Sequence, residues 1–129
     1  MKARRTEVYD VAQDTWRVLG TLPKGVVASA VGAVVGAGGA PLLLSTGGLE
    51  TYVPLGDPVA AVSESSDGGA AWAAGPSMAQ ARTYHGVAVI GGNGTAAGGP
   101  RRLFAVGGSR LGDASNATGA LASVEVFVV

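Results

Sequence analysis

Residues 102–108, RLFAVGG, form an apolar run that closes on a glycine pair, and this run decides the fold. Residues 42–48, LLLSTGG, show the same pattern 60 residues earlier. Two tryptophans, Trp16 and Trp72, stand 56 residues apart, and each is followed within a few residues by a proline. Markers that return in the same order at nearly the same period indicate an internal repeat.

Short β-prone segments fill each period, and turn-forming residues bound them. Strands that repeat every 50–60 residues or so are typical of the four-stranded blades of a β-propeller. We therefore predict an all-β fold, a partial propeller with antiparallel four-stranded blades and about nine strands. The strands are expected at residues 7–9, 16–19, 26–35, 42–46, 59–63, beside Trp72, and at 86–90, 103–106 and 124–129.

The strand count divides the chain into three units. Residues 1–23 are predicted to hold the third and fourth strands of one blade, residues 24–78 a complete blade, and residues 79–129 the first three strands of a further blade. An incomplete propeller exposes strand edges and a blade face, which favour association with another chain. We therefore expect the isolated chain to be oligomeric, to aggregate or to depend on further sequence, with its open blade edges as the place of self-association.

The composition excludes several classes of function. Nine basic residues balance nine acidic ones, so charge gives no case for nucleic-acid binding. The chain has no cysteine, which excludes disulfides and cysteine-ligated zinc. Residues 25–44 carry no charge and are long enough to span a membrane as a helix. Their glycines and Pro41 favour two strands joined by a turn instead, so no membrane segment is predicted.

The order of these motifs resembles the Kelch repeat. In that family an Arg-x-x-His-type motif marks the first strand, Gly-Gly ends the second, an aromatic marks the third and a Trp marks the fourth. Residues 24–78 depart from the pattern, because their first strand lacks the Arg and His and their third lacks the aromatic. The matching residues are Arg82 and His85, Gly47, Gly48, Gly107 and Gly108, Tyr9, and Trp16 and Trp72.

The resemblance implies structural roles for these residues. The glycine pairs are expected to lie against neighbouring backbone, where a Cβ would obstruct the chain. Trp16 and Trp72 are expected to be large buried anchors between adjacent blades. Arg82 is expected to pair with a carboxylate of a neighbouring blade or to line the central channel. His85 is expected to be a structural side chain with its hydrogen bonds satisfied.

Residues 65–72, SSDGGAAW, also resemble the Asp-box, S-x-D-x-G-x-x-W, of sialidase-type propellers. Its serine and aspartate can cap a hairpin turn by accepting hydrogen bonds from backbone N–H groups. In that family the box is structural and lies away from the active site. The resemblance therefore predicts a hairpin and not glycosidase chemistry.

Catalytic and metal-binding patterns are missing from the sequence. His85 is the single histidine, and no His, Cys, Asp or Glu cluster has the spacing of metal ligands. One histidine cannot supply the two-histidine copper site of galactose-oxidase-like propellers. We therefore predict no cofactor and no enzymatic activity in this chain.

Loops are where propellers bind their partners. Two segments that follow a glycine pair, residues 49–58 and 109–120, are the predicted binding loops, and they contain Tyr52, Asp57, Arg110 and Asp113. The predicted function is a Kelch-type protein-interaction module with an unidentified protein partner. The alternative is a non-catalytic fragment of a propeller enzyme, sialidase-like or galactose-oxidase-like.

Overall fold

The computed structural model describes residues 4–35, 41–51, 56–90, 101–111 and 119–128, which form nine strands in three antiparallel sheets. Sheet 1 contains β1 (Arg5–Asp10) and β2 (Thr15–Thr21). Sheet 2 contains β3 (Ala30–Val35), β4 (Pro41–Thr46), β5 (Val62–Ser65) and β6 (Ala73–Gly75). Sheet 3 contains β7 (Gly86–Ile90), β8 (Arg102–Val106) and β9 (Val124–Val128).

The prediction of an all-β fold with nine strands is confirmed, and the strands of each sheet follow one another in chain order. Two strand boundaries differ from the prediction. β3 begins at Ala30 and not at Val26, because Ala28 has a positive φ of 53° and Val27 bridges to Leu49 outside the sheet. The third strand of sheet 2 lies later than residues 59–63, because Val59 donates its N–H to Gly48 O before the strand begins.

The strand registers show an internal repeat. Glu7 pairs with Val18 in sheet 1, and 56 residues later Ser63 pairs with Ala74 in sheet 2. The β1–β2 hairpin is therefore the register equivalent of the β5–β6 hairpin.

Sheets 2 and 3 are related in the same way. Ala30 pairs with Thr46 in sheet 2, and Gly86 pairs with Val106 in sheet 3. The first members of these pairs are 56 residues apart and the second members 60, so the longer β7–β8 connection absorbs the difference. Three sheets thus use one pattern of pairing.

One face of sheet 2 packs on one face of sheet 3. A Cβ on Gly32 of β3 would lie 2.7 Å from Leu103 Cδ1 on β8 and 3.3 Å from Val89 Cγ2 on β7. Burial of a Val or Leu side chain contributes about 1.5–3 kcal/mol, so this interface is the main apolar core of the described residues. The buried cluster contains Val34, Leu44, Val62 and Leu103, with Leu42, Met78, Val87, Val89 and Phe127 packed around it.

Sheet 1 contacts the opposite face of sheet 2 more loosely. Thr6 Oγ1 donates a hydrogen bond of 2.7 Å to Gly69 O in the turn between β5 and β6. An open cleft of about 500 Å³ separates the two sheets, and Val8, Leu19 and Leu43 are among the side chains that line it. The three sheets therefore stack in the order 1, 2, 3.

The described residues contain no helix that is long and apolar enough to cross a membrane. In the uncharged segment at residues 25–44, residues 30–35 form β3 and residues 41–44 form the first part of β4.

Candidate interaction surfaces

The glycine pairs lie at the ends of β4 and β8, where the backbone turns against its neighbours. All four glycines have positive φ, between 62° and 101°. A Cβ on Gly48 would lie 2.7 Å from Val27 O, and a Cβ on Gly108 would lie 2.6 Å from Thr83 O. At Gly47, Gly48 and Gly108 a side chain is therefore excluded by both conformation and space, whereas at Gly107, where the nearest atom would lie 3.6 Å away, the positive φ alone disfavours one.

These turns bring the two predicted binding loops to the same end of the stack. Leu49 bridges both Val27 and Pro58, and at the equivalent position of sheet 3 Ser109 bridges both Thr83 and Ala120. The two small ladders are joined, because Tyr84 N donates to Ala28 O and Gly48 N donates to Arg82 O. Backbone hydrogen bonds thus fix the base of both loops.

The four predicted loop residues divide into two groups. Asp57 and Arg110 are exposed on this end of sheets 2 and 3. Tyr52 and Asp113 lie outside the described residues. An exposed ion pair between Lys24 and Glu50 lies beside the first loop. The end of the stack that carries the loops therefore exposes charged side chains together with Tyr84 and Leu111.

Arg82 lies in a fully buried position immediately before β7. Its Nη1 donates to Gly107 O at 2.9 Å, and its Nη2 donates to Ser123 Oγ at 3.2 Å and to Glu125 Oε1 at 2.6 Å. The carboxylate partner lies on β9 of the same sheet, so the expectation of a partner in a neighbouring blade, or of a place lining a channel, is wrong. Arg82 joins the start of sheet 3 to its last strand.

Glu125 is held in its charged form. Its burial opposes ionisation, but hydrogen bonds from Ala79 N, the Arg82 guanidinium and Gln80 N outweigh that effect and lower the pKa of the carboxyl. Because Ala79 and Gln80 follow sheet 2, the same carboxylate also anchors the connection between sheets 2 and 3.

His85 bridges the two sheets. Its Nε2 lies 2.8 Å from Thr46 Oγ1 on β4, and Thr46 Oγ1 donates in turn to Ala30 O. This chain of bonds favours a proton on Nε2, which leaves Nδ1 as a buried acceptor with no partner among the described residues. Burial, followed by the positive charge of Arg82, lowers the pKa of the imidazole. His85 is therefore a neutral structural side chain whose hydrogen bonds are only half satisfied.

The turn at residues 65–72 is capped by side chains. Ser65 Oγ accepts a hydrogen bond of 2.8 Å from Gly69 N and donates one to Asp67 Oδ1. Asp67 also accepts bonds from Ala70 N and Ala71 N, and the bond from Ala71 N is the main cause of its lowered pKa. The expected capping bonds are present in the structure.

The expectation that both tryptophans are buried is wrong for Trp16, which is 68% exposed. Its ring contacts that of Tyr9 at a tilt of 42°, with ring centroids 5.2 Å apart, on the face of sheet 1 that points away from sheet 2. Trp72 is half-buried and lines the cleft between sheets 1 and 2. The difference arises because sheet 1 covers Trp72, whereas no described sheet covers Trp16.

The two outermost faces of the stack, one on sheet 1 and one on sheet 3, carry exposed apolar side chains. We call the outward face of sheet 1 the head face; its exposed side chains are Tyr9, Trp16 and Val18. We call the outward face of sheet 3 the tail face. Its exposed apolar side chains are Ile90, Val106, Val124, Val126 and Val128, and the exposed Arg102, paired with Ile90 and Val128, lies on the same face.

Within the described ranges no group of three or more His, Cys, Asp or Glu side chains could hold a metal ion. The chain matches no protein-family model and no curated protein sequence. The loop end and the two apolar faces are therefore the candidate functional surfaces.

Sequence analysis missed two functional partners, Thr46 and Glu125. Each lies on a sheet face that points to the Arg82–His85 segment, so a known strand register would have identified both. That register depends on turn geometry, which composition and spacing do not reveal.

Proposed function

We propose that the chain is a protein-interaction module of the β-propeller class, related in pattern to the Kelch repeat and without catalysis of its own. Its partner-binding surface is the end of the stack that carries loops 49–58 and 109–120. The observation that supports this is the pair of backbone ladders at Leu49 and Ser109, which hold the described bases of both loops side by side. Loops held by a rigid scaffold are common binding surfaces.

The repeated register supports the propeller assignment. The three sheets have equivalent pairing and stack face to face. In sheets 2 and 3 the strands follow in chain order from β3 and β7, and these two first strands approach each other. In a propeller the first strands of neighbouring blades approach each other at the axis in this way.

A second candidate function is a non-catalytic part of a propeller enzyme of the sialidase type. The hydrogen-bonded turn at Ser65 and Asp67 favours it, because the turn has the bonds that the Asp-box resemblance implies. The coding sequence on either side of this chain distinguishes the two candidate functions. An adaptor-type segment supports the interaction module, and further repeats that add His, Tyr, Arg and Glu clusters support the enzyme.

Photo-crosslinking in the cells that produce the protein tests the proposal. A photoreactive amino acid is placed at Asp57 or Arg110 on the loop end, and at Gln13 on the opposite end as the control. We expect discrete adducts with one partner protein from the two loop positions and none from position 13. The purified partner should bind the double variant Asp57→Ala, Arg110→Ala at least tenfold more weakly than the wild type.

Two outcomes would contradict the proposal. One is crosslinking from position 13 alone. The other is a purified partner that binds the double variant as tightly as it binds the wild type. In either case the loop end is not the binding surface.

A further inference from the structure

Sheet 1 has an open strand edge, which is separate from the loops of the proposed partner-binding surface. In sheet 2 the third strand, β5, pairs with β4 on one side and with β6 on the other, and in sheet 3 β9 pairs with β8. β1 is the register equivalent of β5, but among the described strands it pairs with β2 alone. We call its other edge, where sheets 2 and 3 have a second strand, the open edge of β1. Unpaired backbone groups at such an edge are a template for a further strand.

The face of sheet 2 beside the open edge is uncovered as well. Val31 on β3 pairs with Ser45, as Val87 on β7 pairs with Ala105. Val87 packs against the core between sheets 2 and 3, whereas its equivalent Val31 is 60% exposed. The first two strands of sheet 2 cover Val87, and sheet 1 has no described strands at those positions to cover Val31.

The cleft between sheets 1 and 2 is the space where those strands would lie. It is about 500 Å³ in volume, and Val31, Leu43 and Ser45 line it on the side of sheet 2. Thr6 and Val8 line it on the side of β1. A small ligand in the cleft would leave the open edge of β1 unpaired. An extended strand both covers the apolar side chains and pairs with the edge, as in β-augmentation.

The internal repeat indicates which side chains such a strand should carry. On the second strand of sheet 2, Leu44 and Thr46 are buried at the interface with sheet 3. They pair with the two positions of β5 whose register equivalents on β1 are Val8 and Thr6. A strand that pairs with the open edge of β1 therefore directs every second side chain into the cleft. Apolar side chains fit those positions, because Val31 and Leu43 lie opposite them.

We propose that the cleft binds an extended strand of a separate protein, which carries apolar side chains at alternate positions and pairs with the open edge of β1. Strand addition takes its affinity from main-chain hydrogen bonds and its specificity from pockets for alternate side chains. The open edge supplies the first and the cleft supplies the second. The bound strand occupies the place beside β1 that β4 occupies beside β5.

A labelled peptide tests this on the whole chain. The peptide has the sequence of residues 41–48, PLLLSTGG, with lysines added at its N-terminus for solubility, because this is the segment that pairs with β5. We expect saturable binding of one peptide per chain by fluorescence anisotropy. Val31→Glu places a charge in the cleft and should weaken binding at least tenfold. Val11→Glu is the matched control, because Val11 is 82% exposed in the β1–β2 turn, and should bind within twofold of the wild type.

Two N-methylated peptides distinguish strand pairing from apolar binding alone. Each is methylated on the backbone nitrogens of alternate residues, in one of the two possible phases. Successive N–H groups of a strand point to opposite edges, so only one phase removes the donors that face β1. We expect that phase to bind at least tenfold more weakly than the other. Equal affinity of the two peptides would overturn the proposal.

The loop variant Asp57→Ala, Arg110→Ala separates this proposal from partner binding by the loops. It should bind the peptide as the wild type does, and a tenfold loss would place the peptide at the loop end and overturn the proposal. Should Val31→Glu lose its β-sheet circular dichroism, Ala33→Glu repeats the test from an exposed position on the same face of β3. No saturable binding by the wild type, or equal binding by the folded cleft variant, would also overturn it.

Discussion

Gly108 follows β8 at the point where sheet 3 turns against the segment Thr83–His85, immediately before β7. Its φ is 91°, and an added Cβ would meet Thr83 O and His85 Cβ at less than 3 Å. We expect Gly108→Ala to lower the free energy of unfolding by about 2 kcal/mol or more, since it adds backbone strain to a backbone collision. Urea denaturation followed by circular dichroism measures the change.

Two other glycines are the controls. Gly86→Ala adds a Cβ with no atom within 4 Å and no positive φ, so its stability should stay within about 0.5 kcal/mol of the wild type. Gly68→Ala meets no atom either but has a φ of 77°, so it isolates the backbone strain. Equal stability of all three variants would show that the close approach at Gly108 is absent.

Arg82 is a fully buried cation, and its guanidinium donates hydrogen bonds to two backbone carbonyls and one carboxylate. We expect Arg82→Met to cost about 3–5 kcal/mol of unfolding free energy, since it leaves Glu125 charged and without its partner. The exposed Arg17→Met is the control and should change stability by less than about 0.5 kcal/mol. A chemical melt in which both variants match the wild type would contradict the buried ion pair.

His85 makes stability depend on pH. Burial lowers the pKa of its imidazole below the ordinary 6.5, so the unfolded chain binds more protons near that pH. The unfolding free energy should therefore be highest above pH 6.5 and fall as the pH drops from about 7 to 5. Glu125, with a pKa below the ordinary 4.5, adds its own loss only at lower pH. Urea melts at each pH measure the slope.

The matched variant is His85→Gln, which keeps an N–H donor for Thr46 Oγ1 but does not titrate. Its stability should be flat across the same pH range. A wild type and a His85→Gln variant with the same slope would show that another group controls the dependence.

The β5–β6 hairpin owes its turn to two side chains. Ser65→Ala removes a buried acceptor from Gly69 N and the bond to Asp67, and we expect a loss of about 1–3 kcal/mol. Ser66→Ala, one residue later and exposed, should leave stability unchanged. Thermal melts compare the two, and a stable Ser65→Ala variant would mean that the turn forms without its cap.

The elements were largely predictable from local patterns. β-branched runs bounded by glycine and proline predicted the strands, and the glycine pairs predicted the turns after β4 and β8. The errors fall where tertiary contacts decide: Ala28 leaves the strand conformation because the preceding Val27 bridges to Leu49. A local pattern does not contain that contact, so the predicted start of β3 was four residues early.

The exposure of Trp16 has its cause at the scale of the whole molecule. Trp16 and Trp72 have equivalent positions in their hairpins, so the sequence predicted one environment for both. Their environments differ because sheet 1 covers the face of sheet 2 that carries Trp72, whereas no described sheet covers the face of sheet 1 that carries Trp16. Spacing along the chain revealed the repeat, but not which faces of the end sheets are covered.

Cysteine cross-linking tests the stacking of sheet 1 on sheet 2 most directly, because the chain contains no cysteine of its own. The double variant Thr6→Cys, Ala70→Cys places one thiol on β1 and one in the turn between β5 and β6, beside the hydrogen bond from Thr6 Oγ1 to Gly69 O. In the control Val11→Cys replaces Thr6→Cys. We predict that a short bismaleimide links the two thiols within one chain in the first variant and not in the control. No link in the first variant, or equal linking in both, would contradict the stacking order.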